Sequence, residues 1–191
     1  MDLQYVRCIH GCKTEPGLTQ FSGMTDPALH NFSSSPVEEV FCSFTKDTKG
    51  LPDTLVIHAP YPGWETIRGD LQRLISVEPS VATFTRYALR YTDRFHPGDH
   101  LSGTFKRDDI QDRIIGTSGD DIEVTTDIPG TKAFLRYTPD DTYGHTLTFT
   151  FQGDSSRVSA DEMMTWFDAA HAGIHILFDL CVPEEIIRIL R

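Results

Sequence analysis

Positive charge is scarce in this chain. Seventeen Lys and Arg stand against 28 Asp and Glu in 191 residues, a formal charge of −11. A nucleic-acid binder draws affinity from counterion release by a basic surface, so no nucleic-acid partner is expected. The same deficit excludes a polybasic membrane-surface protein. Long apolar runs are also missing. The most apolar late stretch, Gly173 to Val182, is interrupted by His175 and Asp179 and is too short to cross a bilayer, so no membrane partner is expected. Cysteine is sparse: Cys8, Cys12, Cys42 and Cys181 are too few and too scattered for a disulfide scaffold. Met1-Asp2-Leu3-Gln4 shows neither a basic nor an apolar signal region. Reduced thiols and a cytoplasmic location are the expectation. Phosphate loops and G-x-G-x-x-G are absent. Gly116-Thr117-Ser118-Gly119-Asp120 is no nucleophile elbow, because Asp120 occupies the place of the second glycine. No cofactor is expected.

What is present describes an ordinary globular domain, with 39% apolar and 24% charged residues. Residues 1–35 are dense in turn formers, including Gly11, Pro16, Gly17, Gly23, Pro27 and the Ser33-Ser34-Ser35 run. They read as a poorly structured extension in which Leu3 to Ile9 could add an edge strand. Residues 36–191 read as a single α+β domain. Val40 to Phe44 and Thr54 to His58 are strand candidates. Trp64, Ile67, Leu71, Leu74 and Ile75 recur at helical spacing. Thr83 to Phe95 is a long strand with Tyr87, Leu89, Tyr91 and Phe95 on one face and Arg86, Ala88, Arg90, Thr92 and Arg94 on the other. The stretch from Pro97 to Asp121 is glycine-rich and acidic, with one helical turn around Asp109 to Ile115. Three alternating segments follow: Ile122 to Ile128, Ala133 to Tyr137 and Leu147 to Phe151. Ser159 and Glu162 match a capping box. The apolar stripe from Met163 to Cys181 then marks a long helix that Pro183 stops. The pattern predicts an antiparallel sheet of about five to six strands packed on that C-terminal helix, in a helix-grip-like arrangement.

Four segments carry a resemblance. Pro36-Val37-Glu38-Glu39-Val40-Phe41-Cys42-Ser43-Phe44, Tyr61-Pro62-Gly63-Trp64-Glu65, Arg86 to Arg94 and Trp166-Phe167-Asp168-Ala169-Ala170-His171 resemble, in the same order, motifs of a scattered prokaryotic family of uncharacterised proteins. The similarity covers most of residues 36–182. Asp93 stands where that family usually has Asn, and the stretch between Phe44 and Thr54 is much shorter here. The resemblance implies a shared α+β fold and no activity.

Four constellations could carry chemistry. Asp168, His171, His175 and Asp179 fall on one helical stripe about 80° wide. His171 and His175 have the i, i+4 spacing that lets two imidazoles share a metal, with Asp168 or Asp179 orienting a ring or serving as a further ligand. The bland alternative is a solvated flank of Asp–His pairs. His171, bordering the apolar face, is expected to be structural, buried on one side and hydrogen-bonded. Arg86, Arg90 and Arg94 form a second set, at about 13 Å intervals along one strand face. They suit an extended acidic partner or a small anion, or else pair internally with carboxylates such as Glu123 and Asp127. Cys8-Ile9-His10-Gly11-Cys12 is a third, incomplete zinc-like cluster. Asp108, Asp109, Asp112, Asp120 and Asp121 are a fourth, an acidic loop without EF-hand spacing. No metal is assigned to any of them.

Two functional classes follow. The first is a non-enzymatic binding or partner protein that uses the arginine-lined sheet face, Arg86, Arg90 and Arg94, or a pocket between sheet and helix. Its partner would be an acidic protein segment or a small anionic ligand, and a homodimer is compatible with it. The second is a hydrolase-like enzyme centred on His171 and His175 with Asp168 and Asp179, with or without a metal. The missing nucleophile and phosphate loop favour the first.

Overall fold

The twelve-residue alternation from Phe84 to Phe95 becomes the strand around which the rest assembles. The structure, a computed structural model, describes residues 6–8, 36–46, 52–76, 83–95, 108–139 and 145–190. In chain order the elements are β1 (Val6–Cys8), β2 (Val37–Lys46), β3 (Asp53–His58), α1 (Trp64–Ser76) and β4 (Phe84–Phe95). A 3-10 helix (Asp108–Arg113) follows, then β5 (Ile114–Ser118), β6 (Asp121–Val124), β7 (Thr131–Thr138), β8 (His145–Val158), α2 (Ala160–Cys181) and α3 (Glu184–Leu190). The strands form one sheet in the order β1-β3-β2-β4-β8-β7-β6-β5. Every pairing is antiparallel except β1 with β3.

The α+β class and the C-terminal helix are as expected, but the sheet has eight strands instead of five or six. β5 was hidden because it lies in the glycine-rich acidic stretch, and Gly116 and an irregularity between Ile114 and Gly116 blur its alternation. β6 is shorter than Ile122 to Ile128, because the chain leaves the ladder after Val124. The Thr125 N–H donates to the Arg113 carbonyl at 2.7 Å, and the Ile128 N–H to Thr126 Oγ1 at 3.2 Å. The short β1 falls within Leu3 to Ile9. The remainder of residues 1–35 lies outside the described residues, as does most of Cys8 to Cys12.

One sheet face is dry. Val40, Cys42, Phe44, Leu89, Phe149 and Phe151 are buried there, in one core with Met163, Phe167, Ala170 and Ile174 of α2. Aromatic contacts fix the direction of α2 along β4. Tyr87 meets Trp166 at 4.6 Å, Tyr91 meets His171 at 5.7 Å and Phe95 meets Phe178 at 6.2 Å between ring centroids. Capping begins α2 as the sequence indicated: Ser159 Oγ accepts from the Glu162 N–H at 3.3 Å, and the Ser159 N–H donates to Glu162 Oε2 at 2.8 Å. Cys42 and Cys181 are buried, and neither is in a disulfide among the described residues. None of the described helices is long and apolar enough to cross a membrane.

Gly153 permits one close approach. It sits opposite Tyr87 in the β4–β8 register, and a Cβ there would fall within the Tyr87 ring. Gly153→Ala should therefore cost about 1–3 kcal/mol in urea unfolding, by overpacking. Combining it with Tyr87→Ala should give a double-mutant cost smaller than the sum of the singles. Strict additivity would place the Tyr87 ring elsewhere.

Candidate functional site

Because side chains alternate along β4, its second face carries Arg86, Ala88, Arg90, Thr92 and Arg94 away from α2. Strand register extends this open face sideways in rows. Phe41, Arg90, Thr150 and Phe134 lie in one row, and Glu39, Thr92, Thr148, Arg136 and Asp121 in the next. A groove of about 520 Å³ runs over these rows. Its floor is made of small side chains, Ala88, Thr92, Thr148 and Thr150. Phe41 on β2 and Phe134 on β7 form its sides. These two strands are separated by three inter-strand spacings, about 14 Å.

Both guanidinium groups of the groove lean toward its sides. Arg90 Nη2 donates to Glu39 Oε1 at 2.7 Å, and its guanidinium carbon sits 4.7 Å from the Phe41 ring centroid, a cation–π contact. Arg90 Nε is buried and has no hydrogen-bond partner among the described residues. Arg136 holds Asp121 through two parallel bonds of 2.8 and 2.9 Å. Arg94 pairs with Glu38 at 3.0 Å, outside the groove lining. Arg86 is exposed on β4 and likewise does not line the groove. So the stripe Arg86, Arg90 and Arg94 contributes one groove residue. The acids that neutralise Arg90 and Arg94 come from β2, where the sequence reading had named Glu123 and Asp127. The reason is strand order: β2 is hydrogen-bonded to β4, whereas β6, which carries Glu123, is separated from β4 by β8 and β7.

The histidine stripe lies on the opposite side of the sheet and is not one site. Asp168 is drawn toward α1, accepting from Trp64 Nε1 at 2.9 Å and from Arg68 Nε at 3.0 and 3.1 Å. His171 is 6% exposed. Its ring stacks on Trp64 with centroids 4.3 Å apart, its Nδ1 lies 3.1 Å from the Tyr91 hydroxyl, and that hydroxyl lies 3.2 Å from Tyr61 Oη. The His175 ring stands edge-on to His171 at 4.5 Å. Asp179 is exposed and lies about 16 Å along the helix axis from Asp168. Among the described residues no group of three or more His, Cys, Asp and Glu is placed to hold a metal ion. Of the acidic-loop residues, Asp121 is engaged by Arg136, and Asp108 to Asp112 lie in the 3-10 helix.

Burial pushes the His171 pKa down to about 3, and the neighbouring His175 adds to the effect. At neutral pH this imidazole is uncharged. It joins α1, α2 and β4 as a hydrogen-bonded, stacked core residue.

Sequence reading passed over two features. Phe41 and Phe134 are large aromatics on the wet side of their strands, and that misplacement was the available signal for the groove. Asp93 lies on the same β4 face as Tyr91 and Phe95 and is 2% exposed, opposite Val37 and Leu147. Burial raises its carboxyl from 3.8 to about 7.

His171 and Asp93 bias stability in opposite directions. Unfolded, the imidazole binds its proton near 6.5; folded, near 3. Its contribution is therefore present above 6.5 and is lost as pH falls toward 3. The Asp93 carboxyl loses its proton near 3.8 unfolded and near 7 folded. Its contribution is present below 3.8 and is lost as pH rises through 7. Between about pH 4 and 6.5 the slopes oppose, each at about 1.4 kcal/mol per pH unit. Asp93→Asn should raise stability at pH 8 by roughly 2–4 kcal/mol and should then lose stability on acidification across that window. His171→Gln should gain stability over the same acidification. Urea titrations across a pH series read both, and an unchanged pH 8 stability in Asp93→Asn would refute the Asp93 assignment.

No family model, curated protein or solved structure matches this chain.

Proposed function

We propose that this chain is a non-enzymatic binding protein whose partner is an acidic protein segment seated in the open-face groove. The observation that carries the reading is the groove itself: about 520 Å³ with a threonine-rich floor, a phenylalanine on each side and two guanidinium groups at its margins. An extended chain fits between sides about 14 Å apart, whereas a single carboxylate or phosphate would fill a small part of that width. Threonine hydroxyls donate and accept, so they can meet a polypeptide backbone. Glu39 and Asp121, which hold Arg90 and Arg136, are themselves partly solvent-exposed. An incoming carboxylate can therefore take their place without opening a buried pair. Arg90 also has a donor, Nε, with no acceptor among the described residues.

The hydrolase reading has less behind it. A histidine held neutral down to about pH 3 carries no proton to donate as an imidazolium at neutral pH. Asp168, the aspartate nearest to it in sequence, is bound to Trp64 and Arg68 instead. A cytoplasmic location belongs to the same proposal, and the sparse, scattered cysteines are compatible with it.

Titration with an extended Asp/Ser peptide, its Asn/Ser counterpart and citrate tests the reading by NMR shift mapping. The acidic peptide should shift Thr148 and Thr150 and bind at least about tenfold tighter than the Asn form, a difference of about 1.4 kcal/mol. Thr150→Trp, which fills the floor, should abolish binding while leaving the fold intact. Equal binding of both peptides, or saturable binding of citrate alone, would replace the acidic segment with another ligand.

A further inference from the structure

The direction in which a segment lies over the groove is set by the two cations that line it, Arg90 and Arg136. Arg90 projects from β4 and Arg136 from β7, with β8 between them. Each leans outward. Arg90 reaches toward β2, to Glu39, and Arg136 toward β6, to Asp121. Glu39, Thr92, Thr148, Arg136 and Asp121 are successive register partners, so both acids belong to one row that crosses the strands. Both guanidinium groups therefore flank that row, with Thr92 and Thr148 on the floor between them. β4 and β7 are two inter-strand spacings apart and β2 and β6 four. The guanidinium groups lie between these bounds, about 14 Å from each other.

We infer that the bound segment crosses the strands along this row and carries two carboxylates, at positions i and i+4. This rests on the acidic-segment reading above. In an extended chain, residues i and i+4 point to the same side and stand about 14 Å apart, the distance between the two guanidinium groups. Residue i+2 shares that side and sits over Thr92 and Thr148. A segment lying lengthwise, parallel to β4, would pass between Phe41 and Phe134 and meet the two cations on opposite sides. Adjacent residues point to opposite sides, so it would need acids at i and i+1. Each guanidinium group is then about 7 Å from its midline, and the short aspartate side chain cannot reach both. The two ends of the crossing are unequal. Arg136 gives two bonds to Asp121 and also lies in the field of Asp120. Arg90 gives one bond to Glu39 and keeps an Nε with no acceptor among the described residues. The Arg90 end is the stronger anchor.

NMR titration of the full chain with serine-based peptides tests this. Three peptides carry two aspartates, at i, i+1, at i, i+4 or at i, i+6, and a fourth carries one. The i, i+4 peptide should bind about fivefold tighter than either other pair. Arg136→Gln should bring it down to the affinity of the single-aspartate peptide, and Arg90→Gln should weaken it further. Both side chains are about half-exposed, and the wild-type series needs no variant. Equal affinity for the three pairs, a preference for i, i+1, or an i, i+4 preference that survives Arg136→Gln would overturn the crossing while leaving the acidic-segment reading in place. Failure of every aspartate peptide to bind would end both.

Discussion

Strict alternation of side chains along β4 is the constraint on which both faces of this protein depend. Residues Tyr87, Leu89 and Tyr91 must enter the space under α2, so Ala88, Arg90 and Thr92 must point the other way. A one-residue slip in the β2–β4 or β4–β8 register would exchange the two sets, burying guanidinium groups and exposing aromatics. The cost of that exchange holds the register. The groove on the open face is therefore placed by the packing of the covered one, and its residues need not contribute much stability themselves.

Of the four buried polar residues described, Asp70, Asp93, His145 and His171, two persist for contrasting reasons. His171 is tolerated because it is neutral, flat enough to stack on Trp64, and supplied with a hydrogen-bond partner in Tyr91. The Tyr61–Tyr91–His171 chain runs from a partly covered hydroxyl to the centre of the α1–α2 junction. Asp93 has no comparable compensation in its titration, which burial dominates. A low-dielectric site resists charge of either sign. It therefore pushes the two pKa values past each other: the histidine stays unprotonated in moderate acid, while the carboxyl keeps its proton close to neutrality.

On the open face, charge is balanced locally even though the whole chain carries −11. Glu38, Glu39 and Asp121 neutralise Arg94, Arg90 and Arg136 within the sheet. These half-exposed pairs add little to stability individually. Their consequence is geometric, since they hold long side chains against the flanks and leave the threonine floor uncovered.

Local sequence was sufficient wherever an element's period and caps agreed. The 3.6-residue stripes of α1 and α2, the Ser159–Glu162 box, the β4 alternation and the burial of His171 were all legible, because each depends on neighbours a few residues away. The candidate site was legible only in part. Arg90 could be assigned to a polar strand face, but its acid, its aromatic neighbour and the opposite side of the groove come from β2 and β7, which only strand order brings together. The same holds for Asp168, whose partners Trp64 and Arg68 are about a hundred residues earlier in the chain. β5 and the buried Asp93 escaped for a related reason: an irregular five-residue edge and a lone acid on an apolar face contradict the local pattern, and only long-range pairing sustains them. Periodicity determined which side chains share a face; the tertiary pairing of strands distant in sequence decided which of them meet, because hydrogen-bond register acts between strands and leaves no trace within one.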